Sequence, residues 1–131
     1  MIIKEEIRMT KEVESVLKLD IRKQYEYFIK KVVDAEVIWS LSEDDGFASV
    51  GDDDNLKVPL WPKEEFAALY ISDDWANYQC DTIDLYDFIE EWIPNLKEDG
   101  CGVSIFWNDE GGIEVDLDDL ARDLRQELKK F

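Results

Sequence analysis

The chain has 131 residues, 45% hydrophobic and 12% aromatic, which suits one domain with a core of its own and is too little for two. Fifteen Lys and Arg face 33 Asp and Glu, a net charge of −18 at pH 7 that repels phosphate backbones and weighs against nucleic-acid binding. Histidine is absent, which excludes Ser-His and Cys-His nucleophile pairs and the commonest transition-metal ligand.

In chain order, Thr10 caps a short helix carrying Val13, Val16 and Leu17. Asp20 caps a stronger one, with Ile21, Tyr25, Phe28, Ile29 and Val32 at helical spacing, ending at Asp34-Ala35. A three-stranded meander is expected next. "EVIWSLS" (Glu36 to Ser42) reads as its first strand, "EDDG" as a turn, "FASV" (Phe47 to Val50) as the return, and "LKVPL" (Leu56 to Leu60) as the third strand. Pro59 lacks a backbone donor, so this third strand is expected at an edge, or to end there. Pro62 fits the first position of a following helix, with Phe66, Ala67, Leu69 and Tyr70 on its apolar face.

"SDDWANYQCD" reads as an irregular link with an optional strand, its Trp75 and Tyr78 folding back over the core. Asp84 caps the clearest helix, whose stripe is Leu85, Phe88, Ile89, Trp92 and Leu96; Pro94 should kink or shorten it, and Gly100 ends it. "GVSIFW", "NDEGG" and "IEV" form a hairpin. Asp116 then opens a last helix with the stripe Leu117, Leu120, Ala121, Leu124, Leu128 and Phe131. The expected fold is α+β, order ααβββα(β)αββα. It has a mainly antiparallel sheet, a meander plus a C-terminal hairpin, under four to five helices. Residues 1–131 form one domain, with 1–19 as an N-terminal extension and 20–131 as the core.

Charge is unevenly placed. Residues 1–31 hold eight basic and six acidic groups, a net of +2, so residues 32–131 carry −20. A cationic protein would be drawn to that surface, faster at low salt; the plainer reading is an acid excess that keeps a small protein soluble. No run approaches the roughly 20 apolar residues that span a bilayer, so no membrane partner is expected. The start, "MIIKEEIRMTKEV", lacks the apolar region of a signal peptide. Cys80 and Cys101 make neither a disulfide framework nor a zinc cluster, and a cytoplasmic protein with free thiols is expected. No Gly-x-Gly-x-x-Gly or Walker-type loop occurs, and no cofactor is expected.

Asp52, Asp53 and Asp54 are the most conspicuous acidic run. A calcium loop starting at Asp52 would put Leu56 at its fifth position and Lys57 at its sixth, where an oxygen ligand and glycine are needed. The run therefore reads as the acidic turn of a hairpin. Cys101 between Gly100 and Gly102 is a thiol without a histidine to activate it, and so reads as a small apolar residue. Of the five tryptophans, Trp92 and Trp107 fall on core stripes, while Trp61 and Trp75 stand at element ends beside acids. Trp61, Trp75, Asp52, Asp53 and Asp54 are thus the candidate partner-binding residues, the aspartates steering and the tryptophans anchoring. No catalytic, cofactor-binding or metal-ligating residue is assigned.

The segments "YEYFIKKVVDAEVIWSL", "DGFA", "PLWPKEEFA", "IDLYDFIEEWIPNLKEDG" and "GVSIFW…LARDLRQEL", in this order over Arg22 to Phe131, resemble the bacterial domain of unknown function 2750 family. The resemblance implies a small stand-alone cytosolic domain and carries no activity. The strand, "WP" and helix arrangement is also similar to immunity and secretion-associated accessory domains. The function expected is a non-catalytic protein-binding or accessory, immunity-like module for a basic protein. The alternatives are a carboxylate- or metal-dependent small hydrolase and a nucleic-acid mimic.

Overall fold

Four helix starts are fixed by side chains that accept otherwise unpaired amide hydrogens. In a computed structural model, which describes residues 10–71 and 75–130, Thr10 accepts from the Val13 amide at 3.1 Å and Asp20 from Lys23 at 2.9 Å. Asp84 accepts from Tyr86 and Asp87, both at 3.1 Å, and Asp116 from Asp118 and Asp119 at 2.9 and 3.0 Å. These caps open α1 (Lys11–Leu17), α2 (Ile21–Ala35), α4 (Leu85–Asp87) and α6 (Leu117–Leu128). Residues 1–9 of the N-terminal extension, 72–74 in the link and Phe131 of the last stripe lie outside the described residues. α1 packs against α2.

Glu36, expected to begin the first strand, instead ends α2: its φ of 63° is left-handed, and its amide bonds to the Val32 carbonyl. β1 (Val37–Glu43) follows and pairs antiparallel with β2 (Gly46–Phe47) and β4 (Gln79–Asp84). The link expected after Trp75 thus carries its strand in full. β3 (Lys57–Leu60) departs from the expected meander: its ladder is parallel, with β5 (Gly102–Asn108), from Lys57 opposite Gly102 to Leu60 opposite Ile105. β6 (Gly111–Glu114) closes the second sheet antiparallel to β5. The order is β2-β1-β4 in one sheet, antiparallel throughout, and β3-β5-β6 in the other, with one parallel and one antiparallel ladder, in an α+β fold.

One bridge joins the sheets, and a second closes the loop that leads into β3. Trp39 and Trp61 exchange backbone hydrogen bonds of 2.9 and 2.8 Å, and Val50 and Lys57 exchange bonds of 2.8 and 2.9 Å. Backbone groups along a strand alternate in the side they face, so Lys57, Pro59 and Trp61 all face away from β5, Lys57 toward Val50 and Trp61 toward Trp39 of β1, while Val58 and Leu60 face β5. Pro59 thereby places its missing donor toward the seam, where no ladder bond is required. Its carbonyl, on that same side, accepts the Ser40 hydroxyl at 2.6 Å. β3 is thus the edge strand of its sheet, as Pro59 implied, and that edge meets the first sheet at the seam.

α3 (Glu64–Ala68) starts with Lys63 at its cap, two residues later than expected, so Pro62 stands just outside. The core runs from α2 (Phe28, Ile29, Val32, Val33) through both sheets (Ile38, Leu41, Leu60, Ile105) to α6 (Leu120, Leu124). In β5 Val103, Ser104, Ile105 and Phe106 are all buried, and the register shifts between Ile105 and Asn108. A left-handed φ of 56° at Phe106 turns its ring inward at this bulge, edge-on to Phe66 at 5.1 Å and to Phe28 at 6.5 Å.

Candidate functional site

The aspartate run is a tight turn. Asn55 donates its amide to the Asp52 carbonyl at 2.8 Å, and the Val50–Lys57 bridge closes the loop behind it. Gly51 makes the turn at φ +97°, where a Cβ would stand 2.5 Å from the Asn55 carbonyl oxygen, so glycine is required. Asp52, Asp53 and Asp54 are exposed at the start of β3. Trp61 lies past the other end of that strand, so the turn and this tryptophan do not form one surface.

Trp61 is 1% exposed, which corrects its assignment as an anchor: it is a core residue. The Trp-Pro pair at an element end looks exposed in sequence, but the seam with Trp39 draws the indole inside. Tyr70 stacks on it, with ring centres 5.6 Å apart and planes at 17°, and Trp107 meets it edge-on at 6.5 Å. Trp75 is half-buried, edge-on to Tyr78 at 4.9 Å and to Trp107 at 5.6 Å. Burial, and then the Asp109 carboxylate, push the Tyr70 hydroxyl pKa above its ordinary value. Trp75 thus remains the tryptophan of the pair that solvent reaches.

A second surface was missed in the sequence. From Asp84 the chain passes through α4, a π-helical turn (Phe88–Trp92) and α5 (Ile93–Asp99) without a break. Pro94 can donate no bond to Glu90 and its ring crowds that carbonyl. The helix answers by widening just before it: the Ile93 amide bonds to the Phe88 carbonyl, five residues back. A kink or early stop was expected from Pro94; a π turn is found. Asp87, Glu91, Asn95 and Asp99 are exposed along this segment and, with Trp92 and Leu96, line a depression of about 400 Å³. Trp92, expected in the core stripe, is half-buried and packs edge-on to Phe47 at 5.0 Å. The available signals were polar residues at every fourth position, three of them acids, and the proline among them.

Elsewhere the titratable groups serve structure. Glu12 accepts the Tyr27 hydroxyl at 2.7 Å and the Lys63 ammonium at 2.9 Å, and these bonds hold its pKa below the usual carboxylate value. Cys80 and Cys101 are free, and burial, then Glu64, push the Cys80 thiol up, away from reactivity. Among the described residues, no group of three or more Cys, Asp and Glu is placed to hold a metal ion.

Tyr25, in a groove between α2 and α6, donates its hydroxyl to Asp123 at 2.7 Å. Burial, then this bond to a carboxylate, raise its pKa well above the ordinary tyrosine value. The unfolded chain gives up this proton near pH 10, so the stability it confers is fully present below about pH 10 and is lost as pH climbs toward the folded value. Tyr25→Phe has no such proton, and denaturant titrations between about pH 10 and 12 should show a shallower fall in stability than wild type. Parallel falls in the two proteins would contradict the linkage.

A small α+β domain, with an aromatic seam between two sheets and an acidic helix face, is the class these features define. The model of the family described as a protein of unknown function, DUF2750, matches residues 25–124, and the chain belongs to that family. No curated protein and no solved structure matches the chain. Among the described residues, no helix is long and apolar enough to cross a membrane.

Proposed function

We propose that this chain is a non-catalytic binding module, accessory or immunity-like in role, whose partner is a basic protein in the cytoplasm. One observation carries the reading: the cations of the acidic part of the chain are largely spent internally. Residues 32–131 contain seven Lys and Arg, and five of them, Lys57, Lys63, Lys97, Arg122 and Lys130, are ion-paired with the chain's own carboxylates. Each such pair uses a carboxylate or two, and the excess of −20 over these residues stays uncompensated. That field favours encounter with a cationic surface, and a half-buried aromatic such as Trp75 supplies contact area once the partner arrives.

Affinity capture from the native cell extract tests the proposal. The expected result is a protein rich in Lys and Arg, retained at low ionic strength and released as salt approaches about 0.5 M, where screening shortens the reach of surface charge to a few ångströms. A partner that is neutral or acidic, or whose retention ignores salt, would count against it.

A further inference from the structure

We propose that Asp81 guards the open edge of β4, withholding from a second copy of this chain the backbone donor around which two such edges would pair. β4 is the outermost strand of its sheet, and among the described residues no strand lies beyond it. In an antiparallel ladder, residues directly opposite one another either bond to each other or both turn their backbone groups away. In β1, Trp39 gives its amide and carbonyl to Trp61, and the Leu41 carbonyl accepts from Ala48, so both residues face away from β4. Their opposites, Thr82 and Cys80, therefore turn amide and carbonyl to the open side, and Thr82 is exposed. An edge of this kind is a template for another chain.

Symmetry selects the occupant. Two copies of one edge pair antiparallel about a two-fold axis, and Thr82 is the middle outward-facing residue of β4, two positions from Cys80 and from Asp84. With Thr82 opposite its own copy, Cys80 meets Asp84, and the ring at the axis needs the amide and carbonyl of both Thr82 residues. Asp81 takes that amide first: its Oδ1 accepts from the Thr82 N–H at 2.8 Å. Its Oδ2 accepts the Ser42 hydroxyl across the ladder, also at 2.8 Å. Ser42 is buried, so the carboxylate is held from the core side in the pose that reaches the edge. One occupied donor per copy removes both bonds at the axis, because each copy supplies one of the two amides. Asp81 is thus a positioned cover for the edge, and Ser42 the residue that positions it.

Sedimentation velocity at about 0.5 M salt tests this, since screening there shortens the reach of surface charge to a few ångströms and removes general repulsion between copies. Wild type should stay monomeric, and Asp81→Ala should dimerise at about 100 µM. Asp53→Ala, an equal loss of charge in an exposed turn, should stay monomeric. Adding Thr82→Pro to Asp81→Ala removes the amide at a position where an edge strand tolerates proline, and should restore the monomer. In dilute solution the Thr82 amide should exchange its hydrogen at least about tenfold faster in Asp81→Ala than in wild type, and by a smaller factor in Ser42→Ala. Circular dichroism checks that the variants fold; should Asp81→Ala fail, unchanged Thr82 exchange in Ser42→Ala would overturn the guard. A monomeric Asp81→Ala, or dimerisation shared by Asp53→Ala, would overturn it too, as would a wild-type dimer that Thr82→Pro abolishes.

Discussion

Trp61→Ala should lower the unfolding free energy by about 3–5 kcal/mol, the range for emptying a fully buried large aromatic site. The indole is buried against the Tyr70 face, the Trp107 edge and the seam strands, and Phe66, Leu69 and Phe106 line the small space beside it. Its backbone bonds to Trp39 survive in the variant, so the loss reports packing alone. For a domain of this size each kcal/mol shifts the midpoint of melting by several degrees, and a fall of at least about 10 °C is expected. Urea denaturation followed by circular dichroism measures it. A loss below about 1 kcal/mol is what an exposed anchor would give, and would return Trp61 to the surface.

Ser40→Ala should cost about 1–3 kcal/mol, more than deleting one hydroxyl on an exposed strand. Ser40 is fully buried in β1, and its hydroxyl is the donor to the Pro59 carbonyl at 2.6 Å. Pro59 faces the seam with its carbonyl and has no amide hydrogen to offer there, so this side-chain bond ties the two sheets beside the Trp39–Trp61 bridge. Alanine leaves the carbonyl unpaired in a place that water reaches poorly. A near-neutral change in the same urea titration would show that the seam is wet, and that the Trp39–Trp61 bridge holds it without the hydroxyl.

Much of the helical framework was legible because it is local. Thr10, Asp20, Asp84 and Asp116 each stand two or three residues from the amides they cap, and Gly100 takes the left-handed φ of 73° that ends α5. The sheet was legible only in outline. A turn signal such as Asp-Gly fixes β1 against β2, but nothing near Lys57 announces its parallel partner Gly102. Trp61 was misplaced for the same reason, since its burial comes from Trp39, Tyr70 and Trp107 rather than from its neighbours in sequence. Pro94 signalled a disturbance without its form: sequence shows that a bond is missing, and only the backbone shows that a five-residue turn absorbs it. The aspartates at 52–54 read correctly as a turn, while the polar helix face from Asp87 to Asp99 hid inside a helix pattern whose apolar stripe drew attention instead.

The claim that a basic protein is recognised through an acidic field is tested most directly by kinetics. Stopped-flow measurement of the association rate with the captured partner, between about 50 and 500 mM salt, should show a fall of about tenfold or more while dissociation changes little. An association rate that stays flat across that range would contradict the account.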